Sequence, residues 1–203
     1  MAVLLHLDSS LFPLENSGSR RLTDAFRKTW QEAHPQGSVI YRDLAAAPVP
    51  HLDAATVTAE SLPPLREELI AEFEKADVIV IGAPMYNFTI PSTLKAWLDQ
   101  IILAGRTFGE GVPPSGKRVV VAASRGGSYR PGTPRAGFEH DTNYLETVLG
   151  GGLGLQVEVI TRELTMAPVN PAMAALVPQA EESERESLER AAESAREHAA
   201  LLV

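Results

Sequence analysis

The sequence predicts an α/β protein built on a doubly wound, five-stranded parallel sheet with helices on both faces. Three observations predict it. Short apolar runs such as residues 78–81 and 119–123 lack polar alternation, as strands covered on both faces do. Segments with helical spacing stand between these runs, and strands alternating with helices require right-handed crossovers into a parallel sheet. Finally, 203 residues with 44% hydrophobic and 22% charged side chains can bury roughly 70% of the unfolded surface. One domain over residues 1–203 is expected, with little disorder.

The elements follow in order. Residues 3–7 form the first strand, closed by Asp8-Ser9-Ser10, and after a loop containing Pro13 the spacing of Leu22, Phe26, Trp30 and Ala33 predicts a helix. Residues 38–41 are a second, β-branched strand. The Pro- and Ala-rich connection 45–64 has no strong period and is expected to be irregular. Helical spacing returns at Leu65, Leu69, Phe73 and Ala76 and runs into a third strand at 77–82. Pro91 suits the first turn of a helix carrying Leu94, Leu98, Ile101 and Ile102. Residues 117–124 form the fourth strand. Asp141 suits the cap of a helix with Tyr144, Leu145, Val148 and Leu149, stopped by Gly150-Gly151-Gly152. Residues 155–161 are the fifth strand, and an amphipathic helix runs from Glu181 through Leu188, Ala195 and Leu202.

Composition excludes several functions. A formal charge of −8 disfavours nucleic acid and anionic lipid, whose binding depends on clustered Lys and Arg. No apolar run approaches the ~20 residues needed to span a bilayer. Zero cysteines exclude disulfides, thiol catalysis and thiolate ligation and fit a reducing compartment, so the cytoplasm is expected. The histidines His6, His34, His51, His140 and His198 show no paired spacing, and no metal site is expected. The pairs Glu67/Glu68 and Glu181/Glu182 read as solvated helix faces. Phosphate-loop, nucleophile-elbow and zinc-protease motifs are absent.

In an open α/β sheet, ligands bind beyond the carboxyl ends of the strands, where the winding reverses. The expected order 2-1-3-4-5 puts that reversal between strands one and three and singles out three loops. The first, residues 9–19, ends in Ser17-Gly18-Ser19 before a helix, and its hydroxyls and free amides suit a phosphate or equally a serine cap; Arg20 and Arg21 add charge nearby. The second, Met85-Tyr86-Asn87-Phe88, offers apolar area that suits either a flat aromatic ligand or a loop folded onto the core. The third, Ser124-Arg125-Gly126-Gly127, lets backbone approach a heterocycle closely, or is simply a flexible turn. Their succession along one sheet edge joins a phosphate seat, an apolar wall and polar donors.

These three segments, with Arg42-Asp43-Leu44-Ala45 and Ala104-Gly105-Arg106-Thr107-Phe108, resemble the FMN-dependent NADH-azoreductases, which are also NADH:quinone oxidoreductases. The resemblance covers most of the chain, and Met-Tyr-Asn-Phe is its most specific element. It implies a flavodoxin-like fold, noncovalent FMN, and a homodimer with active sites at the interface. It also implies ping-pong transfer from NADH or NADPH to a quinone or azo compound. Ser10, Ser17, Gly18 and Ser19 would hold the phosphate. Met85, Tyr86, Asn87 and Phe88, with Ser124, Arg125, Gly126 and Gly127, would line the isoalloxazine. The chemistry would be the cofactor's, so no catalytic residue is assigned, and Tyr86 and solvent both stand as proton sources. Two departures bear on the substrate pocket: Gly109-Glu110-Gly111-Val112 is shorter than usual and lacks the aromatic often seen there, and Gly150 to Gly152 stand where members often carry a bulky ring. Phe108 and Tyr129 are the candidates for the remaining wall. A flavodoxin-type electron carrier without a small-molecule substrate is the alternative that the acidic charge permits.

Overall fold

The structure is a computed structural model that describes residues 1–109 and 116–202. Five strands, β1 (Val3–Asp8), β2 (Ser38–Asp43), β3 (Val78–Pro84), β4 (Arg118–Ser124) and β5 (Gln156–Arg162), form one sheet in the order β2-β1-β3-β4-β5. Every neighbouring pair is parallel. The expected order is the observed one.

The apolar runs are continuous because both faces of the sheet are covered. Leu5, Leu7, Ile79, Ile81, Val119 and Val121 face α3 (Pro64–Lys75) and α4 (Ser92–Ile101), where Leu69, Phe73, Leu94 and Trp97 meet them. The intervening Leu4, Val78, Val80, Val120 and Ala122 face α1 (Gly18–Ala33) and α6 (Val177–Ala200) through Leu22, Phe26, Trp30, Ala191 and Ala195. Each buried Leu, Ile or Val contributes on the order of 1.5–3 kcal/mol by leaving water.

Several boundaries differ from expectation for local reasons. The 45–64 connection contains a short helix, α2 (Ala54–Thr58), because the Asp53 carboxylate accepts the Thr56 N–H. Pro91 stands one position before the first turn of α4, its carbonyl accepting the Lys95 N–H at 3.0 Å. Asp141 caps α5 (Thr142–Leu145), as expected. The helix then continues through Glu146–Gly152 in wider turns, with the Leu153 N–H bonding to the Val148 carbonyl at 2.9 Å. The three glycines therefore lie within its last turns, and the chain reverses at Gly154, whose φ is +67°. Helix α6 starts four residues before Glu181, with Pro178 in its first turn. Of the short segment after Phe108, Glu110, Gly111 and Val112 lie outside the described residues. Among the described residues no helix is long and apolar enough to cross a membrane, and no group of three or more potential metal-ligating side chains forms.

Candidate functional site

Strands β1, β3 and β4 are adjacent, so their carboxyl ends deliver the three loops to one edge, at the winding reversal. Hydrogen bonds join the loops to one another. Ser9 Oγ donates to the Gly82 carbonyl at 2.6 Å, and the Met85 N–H donates to the Ser124 carbonyl at 2.8 Å. The Tyr86 phenol oxygen accepts the Leu11 N–H at 3.0 Å and lies 3.4 Å from Ser10 Oγ. Tyr86 is thereby committed to the β1 loop.

The β1 loop leads into the first turn of α1. Ser17 Oγ accepts the Arg20 N–H at 3.2 Å, with the buried Ser19 Oγ 3.3 Å away. A Cβ at Gly18 would stand 2.9 Å from the Cβ of Ser124, so only glycine lets α1 begin this close to the end of β4. The nearby arginines do not add free charge. Arg20 donates to Asp43 and to the Ser10 carbonyl, both at 2.8 Å, and Arg21 pairs with Glu184. What the turn presents to an anion is the helix dipole, amides and hydroxyls.

In the β3 loop, reciprocal Tyr86–Thr89 backbone bonds of 2.9 and 3.1 Å close a two-residue turn. Asn87 and Phe88 have φ of +50° and +71°, the double left-handed geometry of a type I′ turn. Asparagine tolerates this well. A phenylalanine there stores about 1–3 kcal/mol of strain. The strained turn is pinned by segment 139–142: the Phe88 carbonyl accepts the His140 N–H at 3.1 Å, and Thr89 Oγ1 donates to the His140 carbonyl at 3.1 Å. The Asn87 side-chain amide has no hydrogen-bond partner among the described residues.

Loop β4 is held from behind. The carbonyls of Arg125, Gly126 and Gly127 accept N–H groups of Thr165, Met166 and Leu164 at 3.0–3.2 Å. The amide N–H groups of Gly126, Gly127 and Ser128 have no partner among the described residues. The Arg125 side chain turns inward: its guanidinium donates to Thr142 Oγ1 at 3.0 Å and lies 3.4 Å from Asp141, 3.6 Å from Glu139 and 3.8 Å from Glu163. Burial, reinforced by the neighbouring Glu139, pushes the Asp141 carboxyl up. Burial would also raise Glu139, but hydrogen bonds from Asp141 and Thr142 and the charge of Arg125 hold it well below the usual range. Arg125 thus braces the loop from beneath.

Above the glycine turn lies a cavity of about 760 Å³ walled by Met85, Asn87, Phe88, Gly126, Gly127 and Tyr129. A second cavity of about 860 Å³ lies across the β3 loop, between Phe12, Tyr86, Lys95 and Tyr144, and Met85 and Asn87 line both. The sequence reading missed one wall. Leu164, Met166 and Met173, after β5, close the first cavity. Their signal was positional only: this loop also leaves a carboxyl end of the sheet. A Cβ at Gly126 would stand 2.9 Å from Met166 Cγ, so the missing side chain preserves that closure.

The two pocket candidates separate. Tyr129 lines the cavity and is almost buried. Phe108 lines neither cavity; its ring would lie 3.2 Å from a Cβ at Gly152, so it fills the space that the glycine leaves.

A doubly wound sheet with a ligand-sized cavity beyond the reversal of its strands defines a nucleotide-binding protein of the flavodoxin type. The family model described as flavodoxin-like fold matches residues 2–199. Two proteins named FMN-dependent NADH:quinone oxidoreductase are similar over nearly the whole chain. That of Streptomyces coelicolor is 56% identical, covering 97% of this chain and 95% of its own, and that of Streptomyces avermitilis is 54% identical, covering 97% of each. The crystal structure of an azoreductase from Bacillus anthracis superposes with a TM-score of 0.83 at 25% identity, covering 97% of this chain and 100% of its own. The chain belongs to the flavodoxin-like fold family and, within it, to the FMN-dependent NADH:quinone oxidoreductases.

Proposed function

We propose that this protein is an FMN-dependent oxidoreductase that passes two electrons from NADH or NADPH to quinones and azo compounds by a ping-pong mechanism. The observation that carries the reading is the cavity beyond the carboxyl ends of β3, β4 and β5, where Gly126, Gly127 and Asn87, whose amides have no partner among the described residues, line the same space as an apolar wall. FMN, when bound, supplies the hydride chemistry.

The residues present fit that cofactor. Ser10, Ser17, Gly18 and Ser19 bring hydroxyls and α1 amides to a phosphate, and the nearby Asp43 is occupied by Arg20. Met85, Tyr86 and Phe88 give an apolar platform, and Asn87 a donor and acceptor to the ring edge. Ser124, Gly126 and Gly127 bring backbone close, while Arg125 acts through the carboxylates beneath. Tyr129 and Met166 close the cavity against water.

We further propose one domain over residues 1–203, a homodimer with sites at the interface, and a cytoplasmic location. The family match over residues 2–199 supports the first. Phe108 supports the second, since the residue is 42% exposed and lies outside this chain's own cavity, available to a partner's. Zero cysteines support the third.

Titrating the flavin-stripped protein with FMN tests the binding half of this reading. Quenching of flavin fluorescence saturating at one FMN per chain is the expected result. No quenching at micromolar protein would refute it. An electron carrier would also bind FMN, but with FMN bound it would reduce neither quinone nor azo dye when NADH is supplied.

A further inference from the structure

Among the described residues lining the 760 Å³ cavity, Arg135 alone is charged. The stretch 125–135 holds three arginines with different surroundings. Arg125 is buried among carboxylates, and Arg130 Nε lies 2.8 Å from Glu163 Oε2. Arg135 is exposed and its side chain has neither an ion pair nor a hydrogen bond among the described residues. On a chain of net charge −8, the one charge facing the cavity is an unneutralised cation.

The proposed reaction brings two unlike reactants to this cavity. The nicotinamide donor carries an anionic pyrophosphate, whereas a quinone is uncharged. The FMN phosphate is accounted for elsewhere, at the first turn of α1, whose residues line no part of this cavity. We infer that Arg135 is a specificity-determining residue that engages the pyrophosphate of the electron donor and sets the preference for dinucleotide over uncharged reactants. The inference rests on the functional reading above. A cation at the rim of an acidic protein accelerates encounter with an anion, and salt screens the effect.

The test uses the FMN-loaded protein and the variants Arg135→Ala, Arg135→Glu and Arg135→Lys. Anaerobic flavin bleaching is followed with NADH and with 1-benzyl-1,4-dihydronicotinamide, which lacks the phosphates. The selectivity for NADH over the uncharged donor should fall about fivefold in Arg135→Ala and about tenfold or more in Arg135→Glu, consistent with one exposed charge pair. It should be retained in Arg135→Lys, and the salt dependence with NADH should flatten in Arg135→Ala. Calorimetric titration with ADP-ribose, which carries the same pyrophosphate and transfers no hydride, should show the same order of affinities. Selectivity and ADP-ribose affinity within twofold of the parent in both Ala and Glu variants would overturn the assignment while leaving the enzyme reading intact. A parent flavin that neither donor bleaches would overturn both.

Discussion

The phenol oxygen of Tyr86 accepts the backbone N–H of Leu11 at 3.0 Å, joining two loops 75 residues apart in the chain. One of these loops carries the proposed phosphate seat and the other the proposed apolar wall, so this bond fixes their separation. A net hydrogen bond of about 1 kcal/mol corresponds to roughly a fivefold change in affinity. Tyr86→Phe should therefore lower the melting temperature by about 2–4 °C and weaken FMN binding by up to about that factor. Fluorescence titration beside a thermal melt checks it.

Asn87 combines two roles that substitution can separate. Its left-handed φ of +50° shapes the turn, and its amide is free for a ligand. Asn87→Gly should keep the turn while Asn87→Ala strains it. If the amide binds FMN, both variants lose about five- to tenfold in affinity, and only Asn87→Ala loses stability. Equal affinity of Asn87→Gly and the parent would remove Asn87 from the proposed contacts.

Gly126 borders Met166 so closely that any β-carbon must displace it. Gly126→Val should lower FMN affinity at least tenfold, by driving side-chain atoms into the cavity, with a stability cost of about 1–3 kcal/mol from overpacking. Met166→Ala added to it should recover part of the stability. The double variant's denaturation midpoint measures that recovery.

Glu158 provides a pH test away from the cavity. Burial alone would raise its carboxyl, yet hydrogen bonds from His198, Ser194 and Arg190 hold it at about 2, below its ordinary 4.5. A carboxylate lowered in the folded state contributes stability that is present above the unfolded value and lost as pH falls through the folded one. Allowing for its partial exposure, Glu158→Gln should cost about 1–2 kcal/mol at pH 7. The difference from the parent should vanish between about pH 5 and pH 2. Urea denaturation at several pH values measures it.

The sheet was legible because double-sided burial writes itself as unbroken apolar runs. Ile79 and Val80 point to opposite faces and both meet helices. Placing those strands in order also placed the loops after β1, β3 and β4. Less was legible where backbone geometry overrides composition. An asparagine permits the left-handed φ at Asn87 without announcing it, and nothing in a phenylalanine announces φ of +71° at Phe88. The Met166 wall has no period to detect, and Leu164 likewise takes φ of +61°. Charge was hardest to read: Arg20 and Arg21 look like phosphate ligands in the sequence, yet both are satisfied by carboxylates brought from β2 and α6.

The central claim is that these loops hold one flavin which donor and acceptor visit in turn. Anaerobic stopped-flow absorbance tests it most directly: the FMN-loaded protein is mixed with one equivalent of NADH, and then, after NAD⁺ is removed, with a quinone. The account predicts full bleaching of the flavin band in the first mixing and full return of colour in the second, with no nicotinamide nucleotide present. A flavin that NADH leaves coloured, or one that regains colour only while the nucleotide is still bound, would contradict it.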